Sequence, residues 1–369
     1  MVYIHERTLE NSHRIIFLTN ISENKPVNAQ ISFNFDGSIK QFDLDHGAII
    51  PIPAKVENEI ATIFYTLEAG SALALQLDPS GKSESQKIKT SNFEEQRILS
   101  WSCEALDQNV LRVETASLTL NGKIIGENSP LLKLWQPFYE SKDGSPFEAE
   151  YKFMVNSIPK GKMDVVIEYA ENLDRIEING NKIKAGKKTW LDIHFNAIDI
   201  SKYVVKGLNS IKISGKKINN ITDAGFHRRV LANEFPYKTT ELENIYIIGD
   251  FLVSDFGRTE FCIESKPKDH APDVRNLTIE GYPFYAGRFK LVADFKTKSK
   301  ESVELEFSDI GGACLDVYVN GKSAEVLYWA PWKTDISKLI KKGKNKLEVI
   351  LPTDLLNLMG PNQEPIGLP

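Results

Sequence analysis

Three acidic residues within ten positions have the types and spacing for acid–base chemistry. Glu241 and Glu243 stand two positions apart in Glu241-Leu242-Glu243-Asn244-Ile245, and Asp250 closes the apolar run that follows. On an extended strand, positions i and i+2 share a face, so Glu241 and Glu243 form a local carboxylate pair. Cleavage of a glycosidic bond uses two carboxylates facing each other, about 5–5.5 Å apart for retention or about 6.5–9.5 Å for inversion. The chain carries 50 acidic residues, so close pairs also arise by chance. A solvated or ion-paired strand face is the plainer reading. Aromatic clusters are the second chemical resource: Tyr328-Trp329-Ala330-Pro331-Trp332, Trp135-Gln136-Pro137-Phe138-Tyr139, Trp190 with His194 and Phe195, and Tyr282 with Phe284 and Tyr285. Flat rings beside amide or charged groups suit stacking on sugar rings. Core packing uses the same residues, so each cluster has a structural reading beside the binding one.

Other chemistries lack their signatures. The six histidines (His5, His13, His46, His194, His227, His270) show neither HxH nor HExxH spacing, so no transition-metal site is expected. Cys103, Cys262 and Cys314 are far apart and odd in number, which points to buried free thiols rather than disulfides or a zinc site. Gly311-Gly312 lacks the Gly-Lys of a phosphate loop, and no GxSxG is present. Phe226-His227-Arg228-Arg229 suits an acidic sugar or a phosphate, but also a solvated loop. With Lys+Arg 45 against Asp+Glu 50, the net charge is -5, which disfavours nucleic acid as a partner. No apolar run approaches the roughly 18 residues of a membrane span. The opening MVYIHERTLE has no apolar signal core, so a cytoplasmic location is expected if Met1 is the natural start.

The elements that must position these residues read as strands. Arg14–Thr19, Gln30–Phe35, Glu59–Tyr65 and Ser71–Leu77 are β-branched or aromatic, with turn chemistry between them and a linker from Asp78 to Ser85. No long amphipathic helix appears, so a parallel α/β sheet is disfavoured. An internal repeat organises the rest. Arg175-Ile176-Glu177-Ile178-Asn179-Gly180 is matched by Leu315-Asp316-Val317-Tyr318-Val319-Asn320-Gly321, each an alternating strand entering an Asn-Gly turn. Asp199-Ile200-Ser201 recurs as Asp335-Ile336-Ser337, and Gly207-Leu208-Asn209 as Gly343-Lys344-Asn345. Each aspartate would cap one helical turn, and Ile200, Tyr203 and Val204, or Ile336, Leu339 and Ile340, would plug a sandwich end. Each glycine would then supply a left-handed stop. The expected fold is all-β: a small antiparallel β-sandwich over 1–82, a first jelly-roll sandwich within 83–274, and a second over 275–369.

The order "strand, Asn-Gly, Asp-Ile-Ser, Gly-x-Asn, strand" resembles the galactose-binding-like sandwiches that accompany many glycoside hydrolases, including family 2. Tyr3-Ile4-His5-Glu6-Arg7, Phe17-Leu18-Thr19-Asn20 and Leu67-Glu68-Ala69-Gly70-Ser71 are similar to the β domain that follows the barrel in glycoside hydrolase family 106 and related α-L-rhamnosidase-like proteins. Glu241 to Phe251, Gly281-Tyr282-Pro283-Phe284-Tyr285-Ala286-Gly287 and Asn357-Leu358-Met359-Gly360-Pro361 are similar to the terminal region of those proteins. In such enzymes the catalytic carboxylates sit on an upstream (β/α)₈ barrel, which needs about 250 residues of alternating strand and helix. That pattern is missing here, so the resemblance carries over no catalytic residue. It implies a truncated, C-terminal portion of a glycosidase that supports a catalytic barrel, in cis or as a separate chain, and binds poly- or oligosaccharide. Met1 is then not necessarily the natural start. Tyr328, Trp329, Trp332, Trp135, Tyr139, Trp190 and His194 are the carbohydrate-binding candidates. No cofactor is expected, although sandwiches of this type sometimes hold a structural calcium, at no position the sequence locates. Two other readings stay open: a free-standing carbohydrate-binding protein, and an intact glycosidase with an inter-sandwich site using Glu241, Glu243 or Asp250.

Overall fold

The computed structural model describes residues 1–9, 12–22, 25–43, 47–81, 96–98, 100–218, 239–255, 261–298, 302–308, 310–330 and 332–359. The chain is all-β and sandwich-like, and it divides into two compact units: Met1–Ser100 with Ala293–Val349, and Trp101–Val292 with Ile350–Pro369. Most of the expected linker after Ser80, and the Phe226–Arg229 stretch, lie outside the described residues.

Residues 1–81 of the first unit build two sheets. One runs in the order Val2–Thr8, Arg14–Asn20, Ala72–Asp78, Ser38–Asp43, Ala48–Pro51, and the other Val27–Asn34, Ile60–Leu67, Lys55–Glu57. Every pairing given for these strands is antiparallel. Alternation explains the core. Ile16, Leu18, Leu73, Leu75 and Leu77 turn inward against Ile63 and Leu67, while Phe17 between Ile16 and Leu18 is exposed. Residues 293–349 of the same unit hold the Leu315–Val319/Lys322–Leu327 hairpin and the pair Glu304–Glu306 with Lys333–Asp335.

The second unit contains the larger sandwich. One sheet is ordered Asn109–Val113, Ile245–Gly249, Met163–Glu168, Asp192–Asp199, Thr189–Trp190. The facing sheet is ordered Lys123–Pro130, Thr115–Leu120, Pro146–Val155, Gly207–Lys216, Arg175–Ile178, Asn181–Ile183. Its spine is the ten-pair antiparallel ladder of Pro146–Val155 on Gly207–Lys216. Val165, Ile167, Ile247, Ala149, Tyr151, Ile211 and Ile213 fill the space between the sheets. Two features escape the sequence reading. Phe261–Ser265 adds to Pro146–Val155 in parallel, through Met154↔Cys262 and Val155↔Ile263. A nine-residue helix, Leu131–Tyr139, buries Leu131, Leu134 and Phe138 and contains Pro137.

The repeat is real at the level of single atoms. Asn179 and Asn320 both have positive φ (49° and 53°), as the two-residue Asn-Gly hairpin requires. Asn179 Nδ2 donates to the Tyr203 carbonyl (2.9 Å) and to Asn209 Oδ1 (2.9 Å). Asn320 Nδ2 donates to the Leu339 carbonyl (3.0 Å) and to Asn345 Oδ1 (2.9 Å). Asn209 and Asn345, both buried, close their own turns through the carbonyls of Val205 and Gly207, and of Lys341 and Gly343. The carboxylates of Asp199 and Asp335 accept from the backbone N–H and hydroxyl of Ser201 and Ser337. Each serine oxygen then accepts a backbone N–H from a neighbouring segment, that of Met163 (3.0 Å) or of Val303 just before Glu304–Glu306 (2.9 Å). Ile200, Val204, Ile336 and Ile340 are buried as plugs, and Gly207 (φ 98°) and Gly343 (φ 92°) take the left-handed stop. In both copies the expected helical turn is a single hydrogen-bonded turn, Tyr203 N to the Ile200 carbonyl and Leu339 N to the Ile336 carbonyl (both 2.9 Å).

Removing one such amide strands several buried groups. Asn209→Ala is expected to cost about 2–4 kcal/mol in urea unfolding, whereas Asn181→Ala, on the exposed side of the same turn, stays within about 0.5 kcal/mol.

Candidate functional site

The acidic pair occupies the surface of the larger sandwich, and the path to it begins in the core. Tyr151 lies on Pro146–Val155 with no exposed area, and its hydroxyl must find an acceptor. It donates to the backbone carbonyl of Glu243 (2.9 Å). Trp135 of the helix donates its indole N–H to the carbonyl of Leu242 (2.7 Å). These two bonds pin the segment Thr239–Asn244 from either side and leave Glu241 and Glu243 half-buried.

Their side chains meet Tyr139, the last helical residue. The Tyr139 hydroxyl donates to Glu241 Oε2 (2.7 Å), and the Tyr139 hydroxyl oxygen also lies 3.4 Å from Glu243 Oε1. Thr239 donates its hydroxyl to Glu241 Oε1 (2.9 Å). A third carboxyl joins them from the end of Met163–Glu168. Burial above all, then the charges of Glu241 and Asp192, raise Glu168 to about 7. Burial, then Glu168 and Glu241, raise Glu243 to about 7, with the Tyr139 hydroxyl acting in the opposite direction. Burial followed by the neighbouring Glu241 likewise pushes the Tyr139 phenol above its ordinary range.

The other candidates distribute as follows. Trp190 tilts against Tyr246 (ring centroids 5.6 Å), and Phe195 does the same (5.8 Å), beside the carboxylates because Phe195 pairs across the sheet with Glu168. His194 stacks on Tyr169 at 4.4 Å. Asp250 does not join the pair. Seven residues further along an extended segment, roughly 20 Å away, it is 64% exposed and ion-paired with Lys266. Tyr328 and Trp329 are 57% and 52% exposed and tilt against each other at 5.9 Å, on the loop after Lys322–Leu327. Trp332 is half-buried, and its backbone carbonyl accepts from Phe307 N (2.8 Å). Tyr282, Phe284 and Tyr285 are buried in the core. Glu168 was not legible beforehand: it terminates an ordinary apolar strand, and only strand register brings it to residues 241 and 243.

The arrangement limits the chemistry. Two carboxylates that flank a scissile bond need a sugar between them. Here one tyrosine hydroxyl lies between Glu241 and Glu243. The hollow lined by Tyr151, Ile167, Ile213 and the three glutamates measures about 180 Å³ with open solvent included. Among the described residues no three His, Cys, Asp or Glu side chains converge as metal ligands. No helix among them is long and apolar enough to cross a membrane.

No protein family matches the chain, and no curated protein does. Among solved structures it is similar to the α-L-rhamnosidase of Streptomyces avermitilis complexed with L-rhamnose, with 10% identity over 95% of this chain and 36% of that one (TM-score 0.30). It is also similar to a rhamnosidase from Novosphingobium sp. PP1Y, with 14% identity over 67% and 24% (TM-score 0.23). A third is the β-D-mannosidase of Dictyoglomus thermophilum, with 11% identity over 67% and 31% (TM-score 0.25). The chain thus spans about a quarter to a third of the length of these enzymes. Likeness this loose fixes neither a family nor a residue alignment.

If the Tyr139 hydroxyl holds the acidic segment to the helix, Tyr139→Phe lowers stability by about 1 kcal/mol. The urea midpoint should fall at unchanged slope, which separates a lost bond from a changed unfolded state.

Proposed function

We propose that this chain is a non-catalytic, carbohydrate-associated set of β-sandwiches that works beside a glycosidase catalytic barrel and holds glycan through exposed aromatic rings. The observation that carries the binding half is the Tyr328–Trp329 pair. Two large aromatic side chains stand more than half exposed side by side, where burial would stabilise the fold more. Their flat faces suit the apolar faces of sugar rings, and the neighbouring loop offers backbone polar groups for hydroxyls. Trp135 and His194 fit this role less well, since their rings are engaged with Leu242 and Tyr169. Trp190 and Tyr139 border the acidic patch and form a second, smaller surface.

The twin networks of Asn179 and Asn320 support one sandwich type used twice, as the galactose-binding-like jelly-roll reading expects. The partner barrel, whether in cis or on a separate chain, and the rhamnosidase-like affiliation belong to the same proposal and rest on the sequence resemblance.

A second reading has one observation in its favour. A carboxyl held near 7, as Glu168 and Glu243 are, is what a general acid requires at neutral pH. Among the described residues, the hollow beside Glu168 and Glu243 gives no cleft in which a glycosidic bond could lie between the two groups.

The decisive experiment titrates the purified chain with rhamnose-containing and other plant or microbial oligosaccharides by calorimetry, with an aryl-rhamnoside hydrolysis assay alongside. Binding that weakens at least about tenfold in Trp329→Ala, with no turnover, is the expected result. Turnover that disappears in Glu243→Gln would establish the second reading instead. Unchanged affinity in Trp329→Ala would remove the aromatic pair from the account.

A further inference from the structure

The contact between the helix end and the acidic segment is one proton short. Tyr139 carries a single hydroxyl hydrogen, and its oxygen faces Glu241 Oε2 at 2.7 Å and Glu243 Oε1 at 3.4 Å. With every carboxyl ionised, that one hydrogen is held by Glu241 at 2.7 Å and reaches Glu243 only weakly at 3.4 Å, so Glu243 is left the poorer-bonded of the two. A proton on Glu243 supplies the missing bond, because the acid then donates to the Tyr139 oxygen. Glu168 adds a third negative charge with no hydrogen-bonding or ionic partner among the described residues, and a proton there removes repulsion from both neighbours.

Among the described residues, nothing around this cluster neutralises it. From Pro146–Val155, Tyr151 is committed to the Glu243 carbonyl. From the Thr189–Asp199 hairpin, Asp192 adds negative charge at Glu168. Ile245–Gly249 contributes Tyr246, and Asn109–Val113 contributes Arg112, which is paired with Glu114. Lys217, after Gly207–Lys216, gives its ammonium to the carbonyls of Tyr139 and Ser141. Both cations are therefore engaged elsewhere.

We propose that Tyr139, Glu168, Glu241 and Glu243 form a proton-operated clasp. It fastens the last turn of the helix Leu131–Tyr139 to the segment Thr239–Asn244 when protons are bound and loosens when all three carboxyls ionise. The direction follows from linkage. In the unfolded chain these carboxyls release protons near 4.5, and in the fold Glu168 and Glu243 hold theirs to about 7. The stabilisation is complete below the lower value and is lost as pH rises through the higher one. This is the reverse of an ordinary ion-paired carboxylate such as Asp107 with Arg288, whose acidity the pair strengthens. The clasp borders Trp190 and Tyr246, so its state sets how that small surface is presented. It does not depend on the glycan-binding reading.

Amide hydrogen exchange of the whole chain tests it, read on peptides covering residues 131–140 and 239–245 at about pH 5.5 and about pH 8.5, corrected for intrinsic rates. The expected result is about tenfold faster corrected exchange at the higher pH in both peptides, with Leu315–Val319 unchanged. Glu243→Gln places a permanent N–H donor against Tyr139 and should keep both peptides protected at either pH. If Glu243→Gln loses protection at both values, Glu168→Gln decides, with an expected halving or more of the pH effect. Exchange in the native chain that ignores pH overturns the clasp. So does a pH effect that survives both substitutions, or one that Leu315–Val319 shares.

Discussion

The buried hydroxyl of Tyr151 is the constraint on which the acidic surface depends. The ten-pair ladder between Pro146–Val155 and Gly207–Lys216 leaves no choice about where that ring goes: it faces inward, opposite Ile211. An unpaired hydroxyl there would cost about 1–3 kcal/mol. The acceptor it finds is a main-chain carbonyl, and that carbonyl belongs to Glu243. Anchoring the backbone at 243, with Trp135 anchoring it at 242, directs the side chains at 241 and 243 toward the helix end. Glu168 is already there by register. A concentration of negative charge follows from satisfying a core tyrosine, with no ligand needed to explain it.

The same principle of satisfying buried polar groups closes the sandwiches. Asn209 and Asn345 each complete a turn that would otherwise leave carbonyls and N–H groups unpaired, and each then receives the hairpin asparagine. Ser201 and Ser337 lie between their capping aspartates and a neighbouring segment. Their local bonds span two or four residues, and the longer ones join positions whose order the repeat preserves. Their pattern could therefore be read from the residue order alone. Asn-Gly, Asp-Ile-Ser and Gly-x-Asn each name a local conformation, and the order of three local conformations names the sandwich end.

The acidic cluster was only half legible for the opposite reason. The proximity of Glu241 and Glu243 is local, and strand alternation reveals it. Tyr139 reaches them across about a hundred residues of chain, and Glu168 across more than seventy. Nothing in either neighbourhood advertises the meeting. The helix carrying Tyr139 was also hidden, because it is only nine residues long and Pro137 interrupts its pattern. Its aromatic residues looked like a binding cluster, and Trp135 and Phe138 turn out to serve helix docking. The parallel addition of Phe261–Ser265 has no local signature either. For the Tyr328–Trp332 cluster the sequence left packing and a ligand surface both open, and the structure leaves Tyr328 and Trp329 exposed with Trp332 half-buried.

A carbon-13 NMR titration of the glutamate side-chain carboxyls in the intact chain tests the acidic cluster most directly. Two glutamates, assigned by Glu168→Gln and Glu243→Gln, should titrate near 7 rather than near the ordinary 4.5. If every glutamate titrates near 4.5, the three carboxyls are solvated surface charges and share no proton with Tyr139.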